Sequence, residues 1–154
     1  MKGDRFENCV LGELRKGNFM HIYLVSACLL GLKTRYGGRV IASAARKESV
    51  KDGICLPVCP EQLGGLPTPR TPADLIGGDG HDVLGGRAKV VNRDGLDVTA
   101  NFIIGARQIL EIARQQGITK VFLKAGSPSC GLTPRIGVTV ALLQSEGYPI
   151  VELE

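Results

Sequence analysis

The chain has 154 residues, 44% of them apolar and 5% aromatic, no Trp, and a formal net charge of +4 at pH 7. This size suits one domain around one core, and the apolar content excludes a disordered chain. The mild, scattered charge and the few aromatic rings argue against a phosphate-tracking groove and a base-stacking platform without excluding a nucleic-acid partner such as tRNA.

No apolar run approaches the roughly 20 residues of a membrane helix. The start MKGDRFENCVLGELRKGNF lacks the apolar centre of a signal peptide, so a soluble, cytoplasmic protein without membrane association is expected. Residues 1–20 read as an N-terminal extension and residues 21–154 as one α/β domain.

His21–Ala27 is rich in β-branched and aliphatic residues and reads as a buried strand. It runs through CLLG into the glycine-containing basic turn LKTRYGG. Val40–Val50 has helical composition, and Gly53–Val58 reads as a second strand. The proline- and glycine-rich loop CPEQLGGLPTPRTP follows it. Pro72–Ile76 reads as a helical turn, with Thr71 as N-cap and Pro72 at the first helical position. Gly77–Gly86 reads as a flexible glycine-rich stretch, and RAKVVNRDG as an extended piece or hairpin.

The clearest helix is Val98–Gln116, where Phe102, Ala106, Ile109, Leu110 and Ala113 recur at helical spacing. Asp97 or Thr99 can cap its start, and Gly117 stops it. Ile118–Lys124 is a strand leading into the loop AGSPSCGLTPR. Val138–Glu146 is a helix ended by Gly147, and YPIVEL is a last strand. The alternation of strand and helix predicts a mainly parallel sheet covered on both faces, a single three-layer α/β domain. Loops at the carboxyl ends of such strands meet in a crevice that is the usual ligand site.

The five cysteines are Cys9, Cys28, Cys55, Cys59 and Cys130. An odd number with no export signal argues against a disulfide framework. Cys28, Cys59 and Cys130 each follow a predicted strand, so in a parallel sheet their loops open on one edge. Three thiolates there can hold a 4Fe-4S cube and leave its fourth iron open, a soft Lewis acid with affinity for sulfur. The competing reading is that these thiols are simply core. Cys55 and Cys59 could instead clamp one metal ion, although Cys55 lies inside a predicted strand and points inward. Cys9 reads as incidental. His21 and His81 have no neighbours at zinc-ligand spacing. Gly77–Gly80 does not open a predicted helix, so it is a weak phosphate loop.

The segments SACLLG with RYGG, VCPEQLGGLPTPRTP, GLDVTANFIIGA and FLKAGSPSCG, in that order, resemble the thiouracil desulfurase (TudS-like) family from about His21 to the C-terminus. The resemblance implies a Rossmann-like α/β fold. It also implies a 4Fe-4S cluster on Cys28, Cys59 and Cys130, and non-redox removal of sulfur from thiouracil with release of hydrosulfide. Matched by motif, the acid is Glu61 of CPE and the first serine of SPSCG is Ser127. The segment after Cys130 is shorter than the family's usual one, the stretch between RYGG and VCPE is also short, and residues 1–20 have no counterpart.

The expected substrate is a small thiolated pyrimidine, with Glu61 as general base toward water and Ser127 as a hydrogen-bonding partner of the ring or that water. The alternative for Glu61 is a surface or capping carboxylate, and for Ser127 a turn residue bonding its own backbone. Arg35, Arg70 and Lys124 stand in loops or at a strand end facing the expected site, each with a surface role as its alternative. Two other readings of function stand beside this one: a non-catalytic thiol- or metal-binding α/β protein, and desulfuration of a thiolated tRNA uridine. Mild charge, few aromatics and no added domain count against the last. A monomer or small homo-oligomer is expected.

Overall fold

The computed structural model describes residues 20–40 and 48–154. Cys9, nearly all of the N-terminal extension and most of the helix expected at Val40–Val50 fall outside the described residues. In chain order the elements are β1 (His21–Ser26), a 3-10 turn (Ala27–Leu30), β2 (Gly53–Val58), α1 (Pro60–Leu63) and β3 (Ala73–Ile76). They continue with α2 (Gly80–Leu84), β4 (Lys89–Asn92), α3 (Thr99–Gln116), β5 (Lys120–Lys124), α4 (Val138–Ser145) and β6 (Ile150–Leu153).

Four of the strands form one parallel sheet in the order β2-β1-β5-β6. The two-residue period of a strand divides its side chains between two layers. Leu24, Val121 and Leu123 point to the side covered by α3 and α4, where they meet Ile109, Leu110, Val140 and Leu143. Tyr23, Val25 and Phe122 point to the other side, against Leu29 and Val50. Burying each such aliphatic side chain is worth about 1.5–3 kcal/mol. The fold is therefore the expected α/β arrangement of a mainly parallel sheet flanked by helices.

Helix α3 forms on its apolar stripe: Phe102, Ala106, Ile109, Leu110 and Ala113 are all buried. Gly117 ends it in a left-handed conformation (φ 62°) that suits a residue without Cβ. Val98 occupies the N-cap position, and the Asp97 carboxylate accepts from the Thr99 N–H at 3.0 Å.

Two local expectations are corrected. Pro72–Ile76 is not a helical turn: Ala73–Ile76 is β3, which pairs antiparallel with β4 from Ala73↔Asn92 to Ile76↔Lys89. The Pro72 carbonyl accepts from Arg93 N–H instead of opening a helix. A cap-like Thr-Pro pair is outweighed here by a ladder from a distant segment, as tertiary pairing commonly overrides local propensity. Gly77–Gly86 is not simply flexible, because it contains α2. Asp79 accepts from the N–H groups of His81 and Asp82, and Asp82 returns a bond to the Asp79 N–H, a reciprocal capping box. The β3–β4 ribbon, which departs from the parallel pattern, packs through Leu75 and Val90 on Phe102, Ala106 and Val138.

The register carries the functional consequence. Ser26 lies opposite Val58 and Val25 opposite Phe122, so β1, β2 and β5 end along one edge of the sheet. The chain leaves β1 toward β2 on one side and returns through β5 on the other. That reversal of strand order is where open α/β sheets form their ligand crevice.

Candidate active site

At that edge lies a cavity of about 610 Å³. The loops after β1, β2 and β5 bring Cys28, Cys59 and Cys130 to its wall, together with Glu61 and Ser127. The β3–β4 ribbon contributes Asp74, Leu75, Asn92 and Arg93.

Each thiol is placed by tight local backbone. Cys28 sits in the 3-10 turn, which Gly31 ends at φ 87° while its N–H bonds back to the Cys28 carbonyl at 3.2 Å. Cys59 is the extended N-cap of α1, with Pro60 at the first helical position. Its Sγ–H donates to the Thr34 carbonyl at 3.8 Å. Helix α1 is pinned by α3. Any Cβ at Gly105 or Gly64 would collide with the Pro60 or the Asn101 carbonyl, and Asn101 Nδ2 donates to Gly64 O at 2.8 Å. Cys130 is buried in a compact loop, where Gly131 N–H bonds Ser127 O at 2.8 Å and Thr139 N–H bonds Ser129 O at 2.9 Å.

The three thiols act on one another electrostatically. Burial pushes Cys130 up to about 12, hydrogen bonds from Ser26 and Ser129 pull it back, and charge on Cys59 and Cys28 raises it further. Burial is also the main cause of the raised values at Cys28 and Cys59. Charge on Cys59 adds to the rise at Cys28, while Lys124 and Arg35 ease it. Backbone N–H groups and Arg70 ease Cys59. A bound cation favours the thiolate form of such thiols and displaces their protons. Among the described residues, no group of three or more His, Cys, Asp or Glu can hold a metal ion as a compact site. Cys28, Cys59 and Cys130 are three sulfurs on the wall of one cavity, and thiolate sulfur is the donor that iron–sulfur clusters take.

Cys55 stands apart. Its Sγ–H donates to Val50 O at 3.6 Å, it packs beside Tyr23 and Cys28 in the opposite layer, and it does not line the cavity. The paired clamp with Cys59 is therefore not formed.

Glu61 is the cavity acid that follows a candidate ligand, Cys59, by two residues, and it is held on both sides. Arg70 Nε donates to its Oε2 at 2.6 Å, and Ser129 Oγ donates to its Oε1 at 3.2 Å. Ser129 Oγ also lies 2.9 Å from Ser127 Oγ and 3.6 Å from Cys130 Sγ. Ser127 thus reaches Glu61 through Ser129, a residue the sequence reasoning passed over. Its signal was weak, since a second serine in SPSCG looks like one more turn residue. Ser127 Oγ also accepts from the Ser129 and Cys130 N–H groups, so it fills the turn role and lines the cavity at once.

Arg35 and Lys124 line the cavity as well, the first stacked 5.7 Å over the Tyr36 ring and the second donating to Ala125 O at 3.0 Å. Arg70 lines the cavity too, and its ion pair is buried against Glu61 and not on the surface. Asp97 pairs with Lys89 at 3.2 Å and accepts from the Thr99 N–H, but it stands one residue before the Val98 N-cap and does not itself cap α3. His21 stacks on Tyr23, and His81 lies in α2.

A family model described as 2-thiouracil desulfurase matches residues 23–151. The chain belongs to the 2-thiouracil desulfurase family. Among the proteins similar to it is YbbK of Bacillus subtilis (strain 168), described as uncharacterised. It is 41% identical over 140 residues, covering 83% of this chain and 93% of that protein. A solved structure of a [4Fe-4S]-dependent thiouracil desulfidase, TudS, is 39% identical, with a TM-score of 0.71 over 86% of this chain and 90% of that one. Soft donors, carboxylates and hydroxyls thus gather at one strand edge in a chain of this family. No helix among the described residues is long and apolar enough to cross a membrane.

Proposed function

We propose that this chain hydrolyses the carbon–sulfur bond of a small thiolated pyrimidine such as thiouracil, releasing hydrosulfide without net redox change, and that Cys28, Cys59 and Cys130 hold the 4Fe-4S cluster it uses. The observation that supports this most is the gathering of those three thiols with Glu61 and Ser127 on one cavity wall. When bound, a cluster with only three protein ligands supplies an open iron that draws electron density from a thiocarbonyl.

The chain's own residues do the rest. Glu61 accepts a proton from water, which then adds to the ring carbon bearing sulfur. The Arg70 and Ser129 bonds fix the carboxylate, so its remaining lone pairs aim in a constant direction. Ser127 hydrogen-bonds the ring or the attacking water from the cavity wall. Expulsion of sulfur leaves the oxo-pyrimidine, and the two electrons of the broken bond depart with hydrosulfide.

Sulfide release from several thiopyrimidines by anaerobically reconstituted protein tests the reading. Turnover by the wild type and none by Glu61→Gln of equal iron content is the expected result. Equal turnover by the two proteins removes Glu61 from the mechanism.

A further inference from the structure

Arg70 is the most heavily bonded side chain at the site. Its guanidinium donates through Nε to Glu61, through Nη1 to Pro67 O at 3.2 Å and Thr68 Oγ1 at 3.0 Å, and through Nη2 to Thr34 O at 2.9 Å. Its own N–H bonds Tyr36 O at 2.8 Å. The Arg70 and Glu61 side chains are only 7% and 14% exposed, so this ion pair is largely desolvated, unlike the chain's surface pairs. Buried pairs of this kind are poor devices for stability, because desolvation offsets much of their attraction, and their retention calls for another explanation.

The placement of the partners supplies one. Thr34 and Tyr36 belong to the loop after Cys28, and Glu61 to the turn after Cys59. The same Thr34 carbonyl receives both Arg70 Nη2 and the Cys59 thiol. A planar fork with fixed donor directions can hold a carboxylate and a carbonyl in one geometry, which a lysine's single ammonium cannot. Ser129, from the loop carrying Cys130, closes on the other oxygen of Glu61.

We propose that Arg70 is a positioning residue for the desulfuration. It orients the Glu61 carboxylate against Ser129 and locks the loops after β1 and β2 in register, acting on the reaction through Glu61 from its own place on the cavity wall. This rests on the reading of Glu61 as the base. Its electrostatic effect on Cys59 is secondary to the geometry.

The test compares Arg70→Ala, Arg70→Lys and Glu61→Gln, each reconstituted anaerobically. Iron and sulfide content, the visible cluster absorption, metal-free melting temperature, KM and kcat are read for each. A clamp predicts that Arg70→Ala keeps its cluster and KM while kcat falls about 100-fold, the usual effect of a misplaced catalytic group. Arg70→Lys recovers only part of that loss, and added guanidinium ion raises kcat of Arg70→Ala but not of Glu61→Gln.

Wild-type kcat in Arg70→Ala, beside an inactive Glu61→Gln, overturns the clamp alone. Wild-type kcat in Glu61→Gln overturns the general-base reading, and the clamp with it. Loss of cluster or fold in both Arg70 variants, without guanidinium rescue, shows a purely structural arginine and overturns the proposal.

Discussion

Gly105 lies in the middle of α3, where an exposed glycine would be replaced by alanine with a gain of about 1 kcal/mol. Here the sign reverses. A Cβ at Gly105 would stand 2.7 Å from the Pro60 carbonyl carbon and still closer to its oxygen, with Gly64 N at 3.2 Å. These are backbone atoms of α1 and its cap, so no flexible side chain can swing aside. Overpacking costs about 1–3 kcal/mol, and a rigid neighbour puts this site at the upper end. After subtracting the helix-propensity gain, Gly105→Ala loses about 2 kcal/mol, which lowers the melting temperature of a chain this size by roughly 4–8 °C.

The effect on activity is larger than that on stability. Helix α1 begins at Cys59 and carries Glu61, so relief of the clash shifts both by about 1 Å, enough to cost about 100-fold in kcat. Differential scanning calorimetry of the metal-free protein and sulfide release by the reconstituted protein measure the two. Gly37→Ala is the control, since nothing lies within 4 Å of its added Cβ and its φ is not positive. Unchanged melting and unchanged kcat in Gly105→Ala would refute the argument that the α1–α3 contact positions the site.

Two further outcomes follow from the structure. Hydrogen bonds from the Thr99 side chain and backbone, then Lys89, hold Asp97 down from 3.8 to about 2, so its contribution to stability is present above pH 4 and lost as pH falls toward 2. Asp97→Asn should flatten that part of a melting-temperature profile, and parallel profiles for the two proteins would exclude the effect. Cys55→Ser should keep its iron and its turnover while losing about 1 kcal/mol of stability as an apolar contact becomes polar. Loss of iron in that variant would move the ligand set away from the cavity.

The parallel sheet was legible in the sequence because its signals are local and periodic. Short apolar runs mark β1, β2 and β5, and a helical stripe with a glycine stop marks α3. The meeting of Cys28, Cys59 and Cys130 followed from topology, since parallel strands end on the same edge. The β3–β4 ribbon was hidden because its defining bonds join Ala73–Ile76 to Lys89–Asn92, a separate segment of the chain. The Thr71–Pro72 pair carried an equally good local signal for a helix. Helix α2 was hidden because five residues are too few to show a period, and its Asp79–Asp82 box lies among glycines. Ser129, and the link of Arg70 to Glu61 in place of a ligand or surface partner, were beyond reach for a different reason. Both owe their importance to Glu61, whose neighbours are fixed only once three loops have met.

Iron and acid-labile sulfide, counted per chain after anaerobic reconstitution, bear most directly on the cluster-bearing role of the three cavity thiols. About four of each in the wild type and in Cys55→Ser, falling toward zero in Cys28→Ser, Cys59→Ser and Cys130→Ser, is the result expected of a three-thiolate 4Fe-4S site. One metal ion per chain, or full iron content in any of those three variants, would contradict it.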